Sequence, residues 1–332
     1  MQTNCIRKAI AIPIALTLAS VALAQSGTIS TSSPGFLQLV DGGWTYRVDN
    51  TFSTTARTGT GGGLANYVRG TSPDHLFQHY WWYRGAFVGG SADTREFALS
   101  NLVAAQSSAG AVPGQYAFGT LTYSEPVAGV ANALQFRISY ALDGIVGAPG
   151  TGTFQSLGVA ILSARWRVTN TSNNAIELNF FNYLDLDVIG PSGTGGSNDM
   201  ARLEFFSPGS PVGGWIKIWD GPATTTPPNA APGLEGWNYI ASGANLVGWQ
   251  IAAFTSDRLG LTNTTVTNLP NTAATFGAAD ITGAYQWHMV LQPGASAEGF
   301  VNLGVNVPEP ASMITLGAGL TGLLGLRRRR VR

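Results

Sequence analysis

The sequence predicts an all-β protein: a large antiparallel two-sheet β-sandwich with a short hydrophobic helix at the C-terminal end. Three observations predict it. Apolar and polar residues alternate with a period of two along most of the chain. Turn chemistry separates the alternating runs, in a composition with 43 glycines and 17 prolines. No amphipathic helical pattern interrupts the series, and packed sheets are the remaining way to bury the apolar faces.

In chain order, residues 1–24 come first and have a character of their own. Arg7 and Lys8 form a positive patch, Ala9 to Leu23 is almost wholly apolar, and Ala22-Leu23-Ala24 is a small-x-small site before Gln25. That is the three-part pattern of a secretory signal peptide, cut by signal peptidase after Ala24. The apolar stretch is short for a permanent span and contains Pro13. Cys5 is the sole cysteine, so the mature chain is expected to hold its fold by core packing without disulfides.

The strands follow: Phe36 to Val40, Trp44 to Val48, Leu76 to Val88, Glu96 to Val103, Tyr116 to Tyr123, Gln135 to Tyr140, Arg165 to Thr169, Ile176 to Ile189, Arg202 to Phe206, Trp215 to Trp219, Leu246 to Phe254, Tyr285 to Leu291 and Gly299 to Val305. The alternation is plainest in Gln135-Phe136-Arg137-Ile138-Ser139-Tyr140 and in Arg165-Trp166-Arg167-Val168-Thr169. Asp143-Gly144, Asn173-Asn174 and Pro191-Ser192-Gly193 supply turns. Residues 221–233 carry four prolines and are the best linker candidate, but the runs on either side look alike. One β-sandwich ectodomain over 25–306 with a long loop is the expectation. No fixed-period repeat marks a propeller or solenoid.

The chain ends in Pro308-Glu309-Pro310, then sixteen residues without a charge from Ala311 to Leu326, then Arg327 to Arg330 and Arg332. A helix of sixteen residues reaches about 24 Å, short of a hydrocarbon core of about 30 Å, so it spans only a thin bilayer. The arginines would hold that end in the cytoplasm and leave the body outside. This three-part pattern resembles the PEP-CTERM sorting signal of Gram-negative bacteria. The resemblance implies recognition by exosortase, a membrane-embedded cysteine protease that cuts near the Pro-Glu-Pro, with the body passed to the cell surface or an extracellular polysaccharide matrix. Residues 307–332 are thus a sorting and anchor segment that places the chain transiently in the inner membrane. A Pro-flanked extended segment open to a protease agrees with that implication. Asp74 to Arg84 and Thr169 to Gly190, with its Asn-Thr-Ser turn, also resemble segments of other PEP-CTERM surface proteins, a likeness that transfers no catalytic residue.

Charge changes once both ends are set aside. The full chain has 18 basic and 18 acidic residues. Seven of the basic ones lie in the two ends, and residues 25–306 keep 11 basic against 17 acidic. A mildly acidic body with one lysine, Lys217, argues against nucleic acid or anionic lipid as partner.

Candidate chemistry is sparse. Asp185 and Asp187, two apart on a strand, share a face with Tyr183 and, with Asn198-Asp199, offer oxygens enough for Ca²⁺. A solvated strand face is the favoured reading, and paired-carboxylate glycosidase chemistry lacks a marked desolvated acid. The aromatic run Asp74 to Arg84 holds His75 and His79, which a strand separates by about 13 Å, too far for one zinc ion. Trp81 and Tyr83 could stack on sugar, although a core of this size needs large rings anyway. Trp215-Ile216-Lys217-Ile218-Trp219 suits a cation–π pair or a ligand platform. There is no Gly-x-Ser-x-Gly, and Gly59 to Gly63 lacks the Lys-Ser/Thr of a phosphate loop. No metal site and no catalytic constellation are predicted. The expected role is structural or adhesive at the cell surface or in exopolysaccharide; the alternative is a carbohydrate-binding module or carbohydrate-active enzyme.

Overall fold

The computed structural model describes residues 36–51, 65–69, 75–107, 117–145, 159–188, 199–209, 213–220 and 237–305. The signal segment with Ala22 and Ala24, and the sorting segment with Pro308, Glu309, Pro310 and the predicted hydrophobic helix, lie outside the described residues. Among the described residues no helix is long and apolar enough to cross a membrane.

The described chain is nearly all strand. β1 (Phe36–Asp41), β2 (Trp44–Asp49) and β3 (Ala65–Arg69) form a three-stranded sheet in that order. β4 (Leu76–Phe87) and β5 (Phe97–Ala98) join β10 (Ile176–Leu186), β14 (Leu246–Ala253) and β16 (Ile281–Leu291) in a five-stranded sheet ordered β14-β16-β10-β4-β5. The third sheet draws on β6 (Leu102–Ser107), β7 (Ala117–Val127), β8 (Val130–Ile145), β9 (Val159–Asn170), β11 (Asp199–Phe206), β12 (Gly214–Asp220), β13 (Trp237–Ser242), β15 (Thr275–Ala279) and β17 (Ser296–Val305). Its order is β15-β11-β12-β13-β17-β9-β8-β7-β6, nine strands with antiparallel neighbours. One helix, α1 (Phe254–Thr262), follows β14.

The nine-stranded sheet forms one layer and the other two sheets pack on its inner face. Rings join the layers: Phe136 stacks on Phe180 at 5.0 Å, Trp166 meets Trp287 at 5.4 Å, Tyr239 meets Tyr285 at 4.6 Å and Tyr46 meets Tyr140 at 5.6 Å. Trp44, Trp81, Trp82, Trp166, Trp237 and Trp287 are fully buried. A ring of that size covers about 150–250 Å², worth several kcal/mol each at about 25 cal/mol per Å² before entropy is charged against it. Such a core accounts for stability without disulfides. Room is made by small residues opposite large ones: a Cβ on Gly299 would lie 2.7 Å from Trp166 Cζ2, and one on Gly214 would lie 2.5 Å from Tyr285 Cε1.

The alternation holds where one face is open. In β8, Phe136, Ile138, Tyr140 and Leu142 are buried while Gln135 and Arg137 are exposed. In β4 it fails, because Gln78 to Tyr83 are all buried. Even-numbered side chains there point away from the nine-stranded sheet and meet a second cover. Tyr80 donates to the Leu99 carbonyl (2.7 Å), Arg84 pairs with Glu96, and Gln286 on β16 accepts from the Leu269 amide (2.8 Å).

Several sequence expectations need correction. Three sheets replace two, with β1-β2-β3 sharing the layer of the five-stranded sheet. The predicted run Glu96 to Val103 divides into β5 and β6, which belong to different sheets. The crossing is held by Glu125, fully buried on β7, whose carboxylate accepts from the amides of Ser100 (2.6 Å) and Asn101 (2.9 Å). β3, β13 and β15 were not predicted: β15 is a short, largely exposed edge whose one large residue is Phe276, and β13 follows the proline-rich stretch. That stretch, 221–236, joins β12 and β13, which pair directly, so it connects neighbouring strands of one sheet. Phe254, predicted as the end of a strand, opens α1.

Candidate functional site

Three regions gather the polar and aromatic residues. The first is the interior between the layers. Trp81 and Tyr83 lie there, 1% and 0% exposed. Trp81 stacks on Phe180 at 5.1 Å with planes 9° apart and donates its Nε1–H to the Tyr140 hydroxyl (3.0 Å). Tyr83 donates to the Pro126 carbonyl (2.8 Å) and lies 5.3 Å from Phe136. Neither ring has a face open to a ligand, so of the two readings for Trp81 and Tyr83, sugar stacking and core packing, the core is the one found and a ligand-facing role is corrected; alternation was broken in this run because both faces of β4 are covered. Beside them His79 donates its Nε2–H to Asn182 Oδ1 (3.3 Å) and accepts at Nδ1 from Tyr46 (2.9 Å), while Tyr239 donates to the same Asn182 oxygen (2.6 Å). Burial lowers the imidazole from 6.5 to about 4, with the Asn182 hydrogen bond raising it only in part. A neutral histidine satisfied on both nitrogens is a core linkage.

The second region is the far face of the five-stranded sheet. Asp185 stands opposite Thr282 on one side and Gln78 on the other, and is 2% exposed. It does share that face with Tyr183, as strand parity requires, but the face is covered, so it is not the solvated surface the sequence suggested. Asp187, half-buried, donates its amide to the His75 carbonyl (3.1 Å). The Asp199 carboxylate accepts from the Val188 amide (3.2 Å) and belongs to β11 in the other layer. Asp280 is raised by burial and then by the charge of Asp187. Asn198 lies outside the described residues, and among those described no three His, Cys, Asp or Glu side chains are grouped to hold a metal ion. Further along this face Glu96, fully buried, pairs with Arg84 and accepts from the Thr267 amide (2.9 Å); Arg84 also donates to the Thr267 carbonyl (2.8 Å) and to Asn268 (2.9 Å). Burial pushes the Glu96 carboxyl up, while the Thr267 amide and Arg84 draw it back. This is a clasp on the segment that follows α1. His288, the third histidine, is partly exposed and meets Glu177 at 2.9 Å.

The third region is the outer face of the nine-stranded sheet, over which no described element packs. Its outward positions are the polar half of each alternating strand. On β12 these are Trp215, Lys217 and Trp219. Trp215 is half-buried and donates its Nε1–H to Asn238 on β13 (2.9 Å), whereas Trp219 is only 5% exposed. Lys217 stands opposite Arg202, whose Nε donates to Glu204 (2.8 Å). Across the sheet come Asn302 and Phe300 on β17, Ser163, Arg165 and Arg167 on β9, Arg137 and Ser139 on β8, and Thr120 and Thr122 on β7. Reading residues in sequence marked the tryptophans here and passed over the arginines. Their alternation was visible, but which of them stand side by side depends on strand order and register.

Residues 306–330 match the PEP-CTERM protein-sorting motif, which fixes the destination class of the chain: an exported protein sorted by exosortase. No curated protein matches the chain. Among solved structures it is similar to a galactose mutarotase-like protein from Lactobacillus casei, at 8% identity over 82% of this chain and 100% of that one, TM-score 0.41. It is similar also to a galactose mutarotase-like protein from Clostridium acetobutylicum, at 11% identity over 85% and 98%, TM-score 0.42. A polysaccharide lyase is similar at 10% identity over 82% of this chain and 33% of its own length, TM-score 0.38. Likenesses of this extent transfer neither activity nor substrate.

Proposed function

We propose that the chain is a structural or adhesive protein of the bacterial cell surface or exopolysaccharide matrix, without catalytic activity of its own. The observation that carries this reading is the sorting motif at 306–330. In the proposal signal peptidase cuts after Ala24, the apolar run after Pro308-Glu309-Pro310 halts in the inner membrane, and exosortase releases the body outward. The acidic body supports it: with both ends gone, 11 basic residues face 17 acidic ones, which keeps an exported chain soluble. So does the chemistry of the described interior, where His79 and Glu125 are engaged in core hydrogen bonds. The test is mass spectrometry of cell fractions. The expected result is surface or extracellular protein lacking residues 1–24 and the tail beyond the Pro-Glu-Pro. Full-length protein in the cytosol with both ends intact sinks the proposal.

A second reading, a carbohydrate-binding module or carbohydrate-active enzyme, is favoured by one observation: a half-buried tryptophan, Trp215, held by Asn238 on the outer face of the nine-stranded sheet. Polysaccharide would be its partner, with or without Ca²⁺. Glycan-array binding that is lost in Trp215→Ala would support it, and an array blank in both the presence and absence of Ca²⁺ would remove it.

A further inference from the structure

We propose that Arg137, Arg165 and Arg167, on the open face of the nine-stranded sheet, dock a carboxylate-bearing polysaccharide chain. This rests on the reading of the chain as a surface or matrix protein and names the chemistry of its partner.

The register makes the strip. Arg137 on β8 stands directly opposite Arg167 on β9, and Arg165 stands opposite Ser139 two positions along. Like charges directly opposite each other across a strand pair destabilise a sheet, so this pairing costs stability in the isolated protein and is relieved by an anion laid across it. The groups facing the strip from neighbouring strands offer little relief. β17 contributes Glu298, opposite Arg167 in register but bonded to Arg165 at 2.8 Å, Ser296, which accepts from Arg167 at 3.3 Å, and Phe300, opposite Arg165. β7 contributes Thr120 and Thr122, and β6 contributes Ala104 and Gln106. Among the described residues three guanidiniums thus meet one carboxylate, in a body where acids outnumber bases 17 to 11.

The strip is accessible. Arg137 and Arg167 are exposed, and the Arg165 side chain is 62% exposed although paired. Arginine presents a planar fork that binds a carboxylate through two parallel hydrogen bonds. Strands about 4.8 Å apart, with same-face residues about 6.8 Å apart along each strand, set these forks at short regular intervals. A flat array of that kind suits a polymer whose negative groups recur along its length better than a small anion that needs a pocket. Hydroxyls flank it for the sugar: half-buried Ser139, bonded to the buried Thr120 at 3.1 Å, and Ser296, which is exposed and bonded to Thr169 at 2.8 Å. Most neighbours are hydroxyl and amide groups, with one half-buried ring, Phe300, opposite Arg165, whereas a membrane surface would be met by cations with an apolar face of several side chains beside them.

The test uses the full-length chain in neutral detergent, with sodium alginate as the polyuronate, dextran as the neutral polymer and phosphatidylglycerol vesicles as the lipid surface. Expected is binding to alginate and not to dextran, weakened by added salt because the charges are exposed. Arg137→Glu/Arg167→Glu is expected to lower alginate affinity at least about tenfold at unchanged melting temperature; should it misfold, Arg137→Gln/Arg167→Gln is the substitute. Equal affinity of wild type and variant, retention on dextran equal to alginate, or arginine-dependent binding found on vesicles and absent on alginate overturns the proposal. Correct export and processing without alginate binding removes this inference alone, whereas unprocessed cytosolic protein removes the surface reading whatever the polymer result.

Discussion

His79 shows how far a single side chain's meaning depends on what surrounds it. In sequence it was half of a histidine pair to be weighed for zinc; in the fold it is a neutral link between Tyr46 and Asn182. Its imidazole is held at about 4 by burial, so between pH 6.5 and 4 the unfolded chain binds a proton that the folded chain refuses. Stability from this group is therefore complete above 6.5 and lost on acidification, by about 3 kcal/mol at pH 4. Urea midpoints measured across that window should fall for the wild type and fall less for His79→Gln; equal declines would place the titration elsewhere. Gly42 makes a second case. It turns β1 into β2 with φ +53°, and a Cβ there would lie 1.8 Å from the Gly144 carbonyl oxygen on β8. Backbone cannot step aside as a side chain can, so Gly42→Ala should cost more than about 2 kcal/mol in chemical denaturation. An aromatic residue such as Trp81 was legible as important, but the side of the strand it occupies was not, since β4 is buried on both faces.

Among the elements, legibility followed exposure. β8 and β9 keep one face in solvent and were read correctly from alternation. β4 and β10 carry a second cover that no local pattern announces: parity put Asp185 and Tyr183 on one face, but that face was expected in water and is found buried. The cover itself is a set of loops and α1, whose sequence has no apolar stripe to announce a helix. What pins it is the clasp of Arg84 and Glu96 on Thr267 and Asn268. Removing one partner of a buried ion pair strands the other, at a cost of about 3–5 kcal/mol. Glu96→Gln keeps the shape and loses the charge, so limited proteolysis should open the segment 263–272 well before the strands unfold. Cleavage at the wild-type rate would show that the clasp is not what holds it.

At the scale of the molecule, the sandwich class, the positions of most strands and the C-terminal sorting motif were readable, while three strands and the strand order of the sheets were not. Pairing joins strands far apart in the chain, as β9 with β17, and local residue patterns carry no record of that choice. The open-face arginine strip is a product of this missing information. Charge, by contrast, is a sum and needs no coordinates. The full chain has a pI near 6.8, and loss of the two basic ends should shift the mature protein to a clearly acidic value on isoelectric focusing; a mature band still near neutrality would mean that an end had been kept.

β17 ends at Val305, one residue before the sorting motif begins, and it is an interior strand, hydrogen-bonded to β13 on one side and β9 on the other. A tether at the C-terminal end would therefore pull along a strand bound on both edges. Its ten residues would have to slide together and not peel one by one, so tension between cell and surroundings is borne by two ladders at once. Resistance to such force is set by the barrier to unfolding and not by equilibrium stability, and a body with its tether on an edge strand such as β6 or β15 would give way far sooner under the same load.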